Sequence, residues 1–329
     1  MPRPVTARDV ASAAGVSQAT VSYVINDNPT QKISAETRAR VLEAVERLGY
    51  TPSAAARALR RGTSDVVLLL IPDLPYGPTV ASVIEELTDD LEPAGLSTLT
   101  RRMRAGRPVS ELWREIRPVA VIVIGGMTHE DEAALASAGI PVLSTTLAPT
   151  SGHPGTTVPQ TVIGRLQAEH LAATGHRRIG YAAPDDARVS DFYRLRLDGV
   201  RSTCLDLGLE DPVIIPVHLD AADGERAVRQ WRALDPPVTG VCAYNDETAF
   251  ALVAGLHRAG LSAPGDLAVI GVDNIPLAKL ASPPLTTVDQ NVDTMAAFLA
   301  GSVVHMVQGG PAPAPLGEDT VTLIVRESA

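Results

Sequence analysis

Residues able to do chemistry concentrate in two places, and neither set has the makeup of a catalytic centre. The first is S-Q-A-T-V-S-Y-V-I-N, Ser17 to Asn26. At about 100° per residue, a helix here puts Val21, Val24 and Ile25 on one side. Ala19, Ser22, Tyr23 and Asn26 fall on the other side, with Gln18 at the leading edge. A face of amide, hydroxyl and phenol groups suits the DNA major groove, which admits an α-helix and exposes base edges. The second set follows strands. Asn245-Asp246 ends one in A-Y-N-D and Asp273-Asn274 ends another in G-V-D-N, where open α/β sheets place ligands. Helix capping competes with ligand binding at Asp246, which directly precedes a helix, and a turn role competes at Asn274.

Other chemistries lack their residues. The chain has no G-x-G-x-x-G, no G-x-x-x-x-G-K-S/T and no G-x-S-x-G, so dinucleotide, P-loop and nucleophile-elbow sites are not expected. Gly125-Gly126 after a strand is too weak a phosphate signal. His170 and His176 are six apart and share no helical face, so no metal site is expected from them. Cys204 and Cys242 are the only cysteines and form no C-x-x-C pair, which fits two buried thiols in a reducing compartment. No enzyme activity and no cofactor are expected.

The elements that must position these residues are legible. Thr6 and Asp9 form a T-x-x-D helix start for a helix through Ala14, and Gly15-Val16 makes a tight turn. Ser17 can cap the second helix, and Val10 and Ala14 would receive its apolar side. Two short helices joined by a glycine-containing turn form a helix-turn-helix. A third helix, capped by Ser34 and ended by Gly49, carries Val41, Leu42, Val45 and Leu48 at core spacing. Thr51-Pro52 starts a further segment with good helix propensity through Leu59, too short to be stable alone.

From Asp65 the pattern changes. Val66–Ile71 and Val119–Ile124 read as buried strands, Leu96 to Leu99 and Pro141 to Ser144 as shorter ones, with helices near Thr79–Leu91 and Glu130–Ala138 between them. The alternation repeats. Helices near Thr161–Thr174, Asp191–Leu207 and Val292–Met306 accompany strands at G-H-R-R-I-G-Y-A-A, Val213–Val217, Gly240–Tyr244, Leu267–Val272 and Val321–Arg326. Such βαβ alternation gives parallel sheets flanked by helices, here as two subdomains with a cleft between them.

Charge divides the same way. The chain has 329 residues, 45% hydrophobic and 20% charged, and a net charge of −10. Through Gly62, nine Lys/Arg face five Asp/Glu; the remainder holds nineteen against thirty-three. A basic head can bind phosphates while an acidic body stays off DNA. No run of about 18 apolar residues suggests a membrane span. The start M-P-R-P-V-T has no apolar signal region, so a cytoplasmic protein is expected.

The motifs V-T-x-x-D-V-A, A-G-V-S-x-x-T-V-S-x-V-I-N, S-x-x-T-R-x-x-V and L-G-Y-x-P, continuing to the A-x-x-L at Ala56–Leu59, resemble the head of the LacI/GalR family of transcriptional repressors. In the second half, E-H-L-A-A-T-G-H-R-R-I-G-Y, R-L-D-G-V, A-Y-N-D, G-V-D-N and P-P-L-T-T-V-D-Q resemble the family's effector domain, which has a periplasmic-binding-protein fold. The resemblance implies a small all-α helix-turn-helix domain at 1–50 and a hinge helix and linker at 51–64. A two-subdomain, doubly wound parallel-sheet effector domain follows at 65–329. The chain should cross between subdomains three times, giving about 65–158 plus 291–318 and about 159–290 plus 319–329.

It also implies residue roles. Thr6, Ser17, Gln18, Ala19, Thr20, Ser22, Tyr23 and Asn26 would contact DNA. Leu59 would wedge into the minor groove, with Arg57, Arg60 and Arg61 near phosphates. Asp73, Tyr76, Arg196, Asn245, Asp273 and Gln290 would meet an effector. The chain departs from the family pattern in P-D-L-P-Y-G-P-T, where Tyr76 is the only aromatic. The Asp residues common in the family are missing from T-T-L-A-P-T-S-G-H-P-G-T-T-V-P-Q. Aromatics are only 3% of the chain, which argues against a simple hexose held by stacking. The ligand expected is a small polyhydroxylated or carboxylate molecule, a class that includes carbohydrates in the broad sense. Family tetramers carry a leucine-repeat tail, whereas this sequence stops at E-S-A, so a homodimer is expected.

The reading is a homodimeric, operator-binding regulator, most simply a repressor, whose partners are double-stranded DNA and a small effector. A solute-binding protein of the periplasmic type is the alternative; it explains the α/β body but would need export, and no signal region is expected.

Overall fold

The computed structural model describes residues 5–25, 31–50, 63–104, 109, 113, 116–146, 156–157 and 160–329. The chain forms two compact units, Met1–Asp65 and Val66–Ala329.

The first unit is helical: α1 (Ala7–Ala14), α2 (Gln18–Ile25) and α3 (Ala35–Leu48). The Asp9 carboxylate accepts from the Thr6 amide at 2.8 Å and from its hydroxyl at 2.7 Å, closing the start of α1. Gly15 and Gly49 end α1 and α3 in the left-handed conformation, with φ of 65° and 60°. Val10, Ala14, Val21, Val24 and Val41 are buried together, so the apolar side of α2 closes a three-helix core.

The second unit holds two sheets. The first has the order β2-β1-β3-β4-β5 and is parallel throughout. Its strands are β1 (Val66–Ile71), β2 (Ser97–Arg102), β3 (Ala120–Ile124), β4 (Val142–Thr146) and β5 (Thr156–Thr157). Helices α4 (Pro78–Leu91) and α5 (His129–Ser137) connect its strands. Strand β2 runs three residues past the expected Leu99, and β5 has no counterpart in the sequence pattern. V-V-L-L-L-I is buried almost throughout because helices cover both faces of a parallel sheet.

The second sheet has the order β11-β10-β9-β8-β6-β7. It comprises β6 (Ile179–Pro184), β7 (Val213–Val217), β8 (Gly240–Ala243), β9 (Ala268–Val272), β10 (Thr286–Asp289) and an antiparallel edge strand β11 (Thr322–Ile324). With it go α6 (Gln160–Ala173), α7 (Ser190–Asp206), α8 (Ala221–Arg232) and α9 (Asp246–Arg258). Helix α10 (Val292–Gln308) leaves this sheet and packs on the first: Ala296, Leu299 and Val303 share a core with Val67, Leu69 and Leu87. The chain then returns so that β11 pairs with β10. Two α/β lobes therefore exchange segments, which is the periplasmic-binding-protein-like architecture expected. Among the described residues no helix is long and apolar enough to cross a membrane.

Candidate functional site

In α2 the groups that cap the helix also shape its outer face. Ser17 Oγ accepts from the Thr20 amide at 3.1 Å and lies 2.9 Å from the Thr20 hydroxyl, so these two residues fix the start of the helix. Gln18 and Ala19 are exposed, Ser22 and Tyr23 half-buried, and Thr6 exposed at the start of α1. The surface that results is a short helix, anchored by Val21 and Val24, that presents an amide, a methyl and two hydroxyl groups. Asn26, Arg57 and Leu59 lie outside the described residues.

The second site is a cavity of about 360 Å³ between the two lobes. It is built where strands end. β1 leads to Leu74, β4 contributes Thr145, and β6 leads to Asp185 and Asp186. β7 leads to His218, β8 to Tyr244 and Asn245, β9 to Asp273 and β10 to Gln290. Carboxyl ends of parallel strands leave side chains pointing into the crevice beyond the sheet, so both lobes aim their loops at one space.

Arg196 lies in α7 and is 4% exposed. Its Nε donates to Gln160 Oε1 at 2.8 Å and its Nη1 to the Tyr244 carbonyl at 2.6 Å. Its Nη2 is 3.9 Å from Asp273 Oδ1, and its guanidinium carbon sits 4.8 Å from the centre of the Tyr244 ring. Gln290 closes the circuit: its Nε2 donates to Asp273 Oδ1 at 2.5 Å, and its Oε1 accepts from Gln160 Nε2 at 3.3 Å. Burial raises the Asp273 carboxyl, while Arg196, Thr79 and Gln290 pull it back down. Burial also pushes the Tyr244 phenol up to about 12, so it stays neutral.

The structure brings Arg196, Asn245, Asp273 and Gln290 to one cavity. Asn245, and not Asp246, caps α9. Its Oδ1 accepts from the Thr248 amide at 2.9 Å and its Nδ2 donates to Glu247 at 3.2 Å. Asp246 itself is fully buried beneath the site. Its two oxygens accept from the Ile275 amide at 2.9 Å and the Thr287 hydroxyl at 2.5 Å. Asn274 likewise bridges Asp289 and Arg326.

Asp73 and Tyr76 depart from the expectation. Both are exposed and neither lines the cavity. Arg102 draws them outward: its guanidinium stacks 4.2 Å above the Tyr76 ring and lies 3.5 Å from Asp73. Gln160, Tyr244, Phe192, Glu247 and Thr79 line the cavity although the sequence pattern did not mark them. For Tyr244 a signal existed, since it precedes Asn245 at the end of β8. Gln160 had none, because it ends the stretch T-T-L-A-P-T-S-G-H-P-G-T-T-V-P-Q, which departs from the family pattern.

Comparison with known proteins agrees with this geometry. Residues 6–53 match the lacI family of bacterial regulatory proteins, and residues 168–329 match a periplasmic binding protein-like domain. The HTH-type transcriptional regulator DegA of Bacillus subtilis is 31% identical over 302 residues, covering 89% of this chain and 88% of that protein. The HTH-type transcriptional repressor PurR of Photobacterium profundum is 30% identical over 296 residues, covering 87% and 86%. A crystal structure of the lac repressor dimer bound to operator and an anti-inducer superposes with a TM-score of 0.83 over 99% of both chains; at 24% identity it speaks for the fold. A lacI-type head, two lobes around a cleft, and relatives that are transcriptional regulators along nearly the whole chain place this protein in the LacI/GalR family of transcriptional regulators.

Proposed function

We propose that this chain represses transcription as a homodimer. Two copies of α2 would read a pseudo-palindromic operator, and a small molecule in the cleft would alter that affinity. The observation that supports the reading is α2 itself: Val21 and Val24 are buried in the core, and Gln18, Ala19, Ser22 and Tyr23 stay outside it, where they would meet base edges. A two-fold protein reads a two-fold site, and the basic head displaces counterions from phosphates. The segment at 51–64, with Arg57 and Leu59, would complete the contact as a hinge. The cytoplasm, where the chromosome is, is the place for this activity, and no catalytic step is part of it.

Footprinting on operator fragments selected from genomic DNA tests the reading. Two symmetric half-sites and affinity that falls steeply with salt are expected. A single half-site, or binding indifferent to salt, would overturn it.

A further inference from the structure

The cleft lining has a polarity that restricts its ligand. Its polar groups sit largely on one side: Gln160, Arg196, Asn245, Asp273 and Gln290 come from the second lobe and the crossovers. These groups are already bonded to one another or to the chain. The walls are aliphatic or aromatic on both lobes: Val80, Val83 and Ile124 on one, Val189, Phe192 and Val217 on the other. A hexose carries hydroxyls around its whole ring, and those turned toward these walls would lose water without gaining partners.

The charges restrict it further. Among the described residues four carboxylates line the cavity: Asp185, Asp186, Glu247 and Asp273. Arg196, the one guanidinium among the described lining residues, is held by Gln160, the Tyr244 carbonyl and Asp273. His218 lies 3.0 Å from Asp185, and Arg188 is paired with Asp186 at 2.6 Å. An anion entering this space meets an excess of like charge and, among the described residues, no free cationic fork.

We propose that the cleft takes an uncharged, mainly apolar small molecule with one hydroxyl-bearing end, and not a bare sugar, a sugar phosphate or a carboxylate. The apolar body lies against the Val80, Val83 and Phe192 walls, and the hydroxyl meets the Asp273–Gln290 side. This rests on the reading of the cleft as the effector site, and it replaces the carboxylate expected from the sequence.

The test is calorimetric titration of the full chain with four probes: 2-naphthalenemethanol, 2-naphthoate, glucose and glucose 6-phosphate. The alcohol and the carboxylate share one apolar body and differ in charge. The alcohol is expected to bind at least about tenfold more tightly than 2-naphthoate, a difference of about 1.4 kcal/mol. Neither sugar should give a binding heat. Val83→Trp, which fills the cavity, should abolish the alcohol's binding, and Phe192→Ser should weaken it if the larger side chain prevents folding. Tighter binding of 2-naphthoate, binding of either sugar in preference to the alcohol, silence from all four probes, or unchanged binding in a folded variant would overturn the proposal. Operator affinity measured on the same samples separates this proposal from the regulatory reading. An alcohol that binds without moving operator affinity supports the ligand class and defeats that reading. A sugar or phosphate that moves operator affinity does the reverse.

Discussion

Asp246 has no exposed surface, and among the described residues two donors, the Ile275 amide and the Thr287 hydroxyl, bond its carboxyl oxygens. Burial pushes its carboxyl from 3.8 up to about 7, because a buried charge loses hydration that two hydrogen bonds do not replace. The folded protein therefore binds this proton more tightly than the unfolded chain does. The associated stability is fully present below pH 3.8 and is lost as pH rises to about 7. Its upper limit is about 4 kcal/mol, since each tenfold gain in proton affinity is worth about 1.36 kcal/mol. Asp246→Asn cannot ionise, so the parent's melting temperature should fall relative to this variant between pH 4 and 7 and run parallel to it above 7. Parallel curves throughout would show that Asp246 is ionised in the fold at all these pH values. The A-Y-N-D motif marked this place in the sequence. Which of its two polar residues caps α9 and which goes under the sheet was not legible, because that depends on Ile275 and Thr287 arriving from distant segments.

Helices α6 and α7 come together through two glycines. A Cβ on Gly164 would stand 1.9 Å from the Arg196 carbonyl oxygen, and one on Gly199 would stand 2.0 Å from that of Thr161. Those obstacles are backbone, which cannot swing aside. The close crossing is what sets Gln160, at the start of α6, against Arg196 on α7. Gly164→Ala or Gly199→Ala should therefore push the helices apart, costing about 3 kcal/mol or more, the upper end for overpacked cores. Either change should also weaken ligand binding in the cleft, by breaking the Gln160–Arg196 contact. Urea titration gives the first effect and ligand titration the second; a stable variant with normal binding would show that the crossing does not position Arg196. At this scale much was legible. The caps at Thr6, Ser34 and Gly49 and the apolar runs of β1 and β3 located their elements from local chemistry alone. The helix–helix contact was not, since a glycine inside a helical pattern signals that something comes close without naming it. Asp73 and Tyr76 lie off the cavity for a related reason: they follow β1 as ligand-binding residues would, but Arg102 at the end of β2 pairs with them.

The two lobes touch as well as exchange chain segments. Thr79, in the first turn of α4, lines the cavity with Asp273 of the other lobe and helps pull its carboxyl back down, and a Cβ on Gly77 would lie 3.2 Å from the Glu247 carboxylate. These contacts exist only while the lobes are together, and the cavity wall is shared between lobes, so a ligand gains most in the same arrangement. A ligand shifts such a balance only through unequal affinity for the open and closed states, and a protein contact made in one state alone acts in the same way. A single polar contact of this kind contributes about 0.5–1.5 kcal/mol, enough to move the balance by up to about tenfold. Thr79→Val keeps the branched shape and removes the donor. The ligand-free variant should have a larger radius of gyration in solution scattering and weaker ligand binding. Its operator affinity should move in the direction opposite to the ligand's effect on the parent, whichever direction that is, because linkage is reciprocal. Glu247→Gln, which keeps size and removes charge, should act in the same sense. If Thr79→Val leaves the radius of gyration and the operator affinity unchanged, the Thr79–Asp273 contact does not hold the lobes together. If only the radius changes, the lobes move without governing DNA binding.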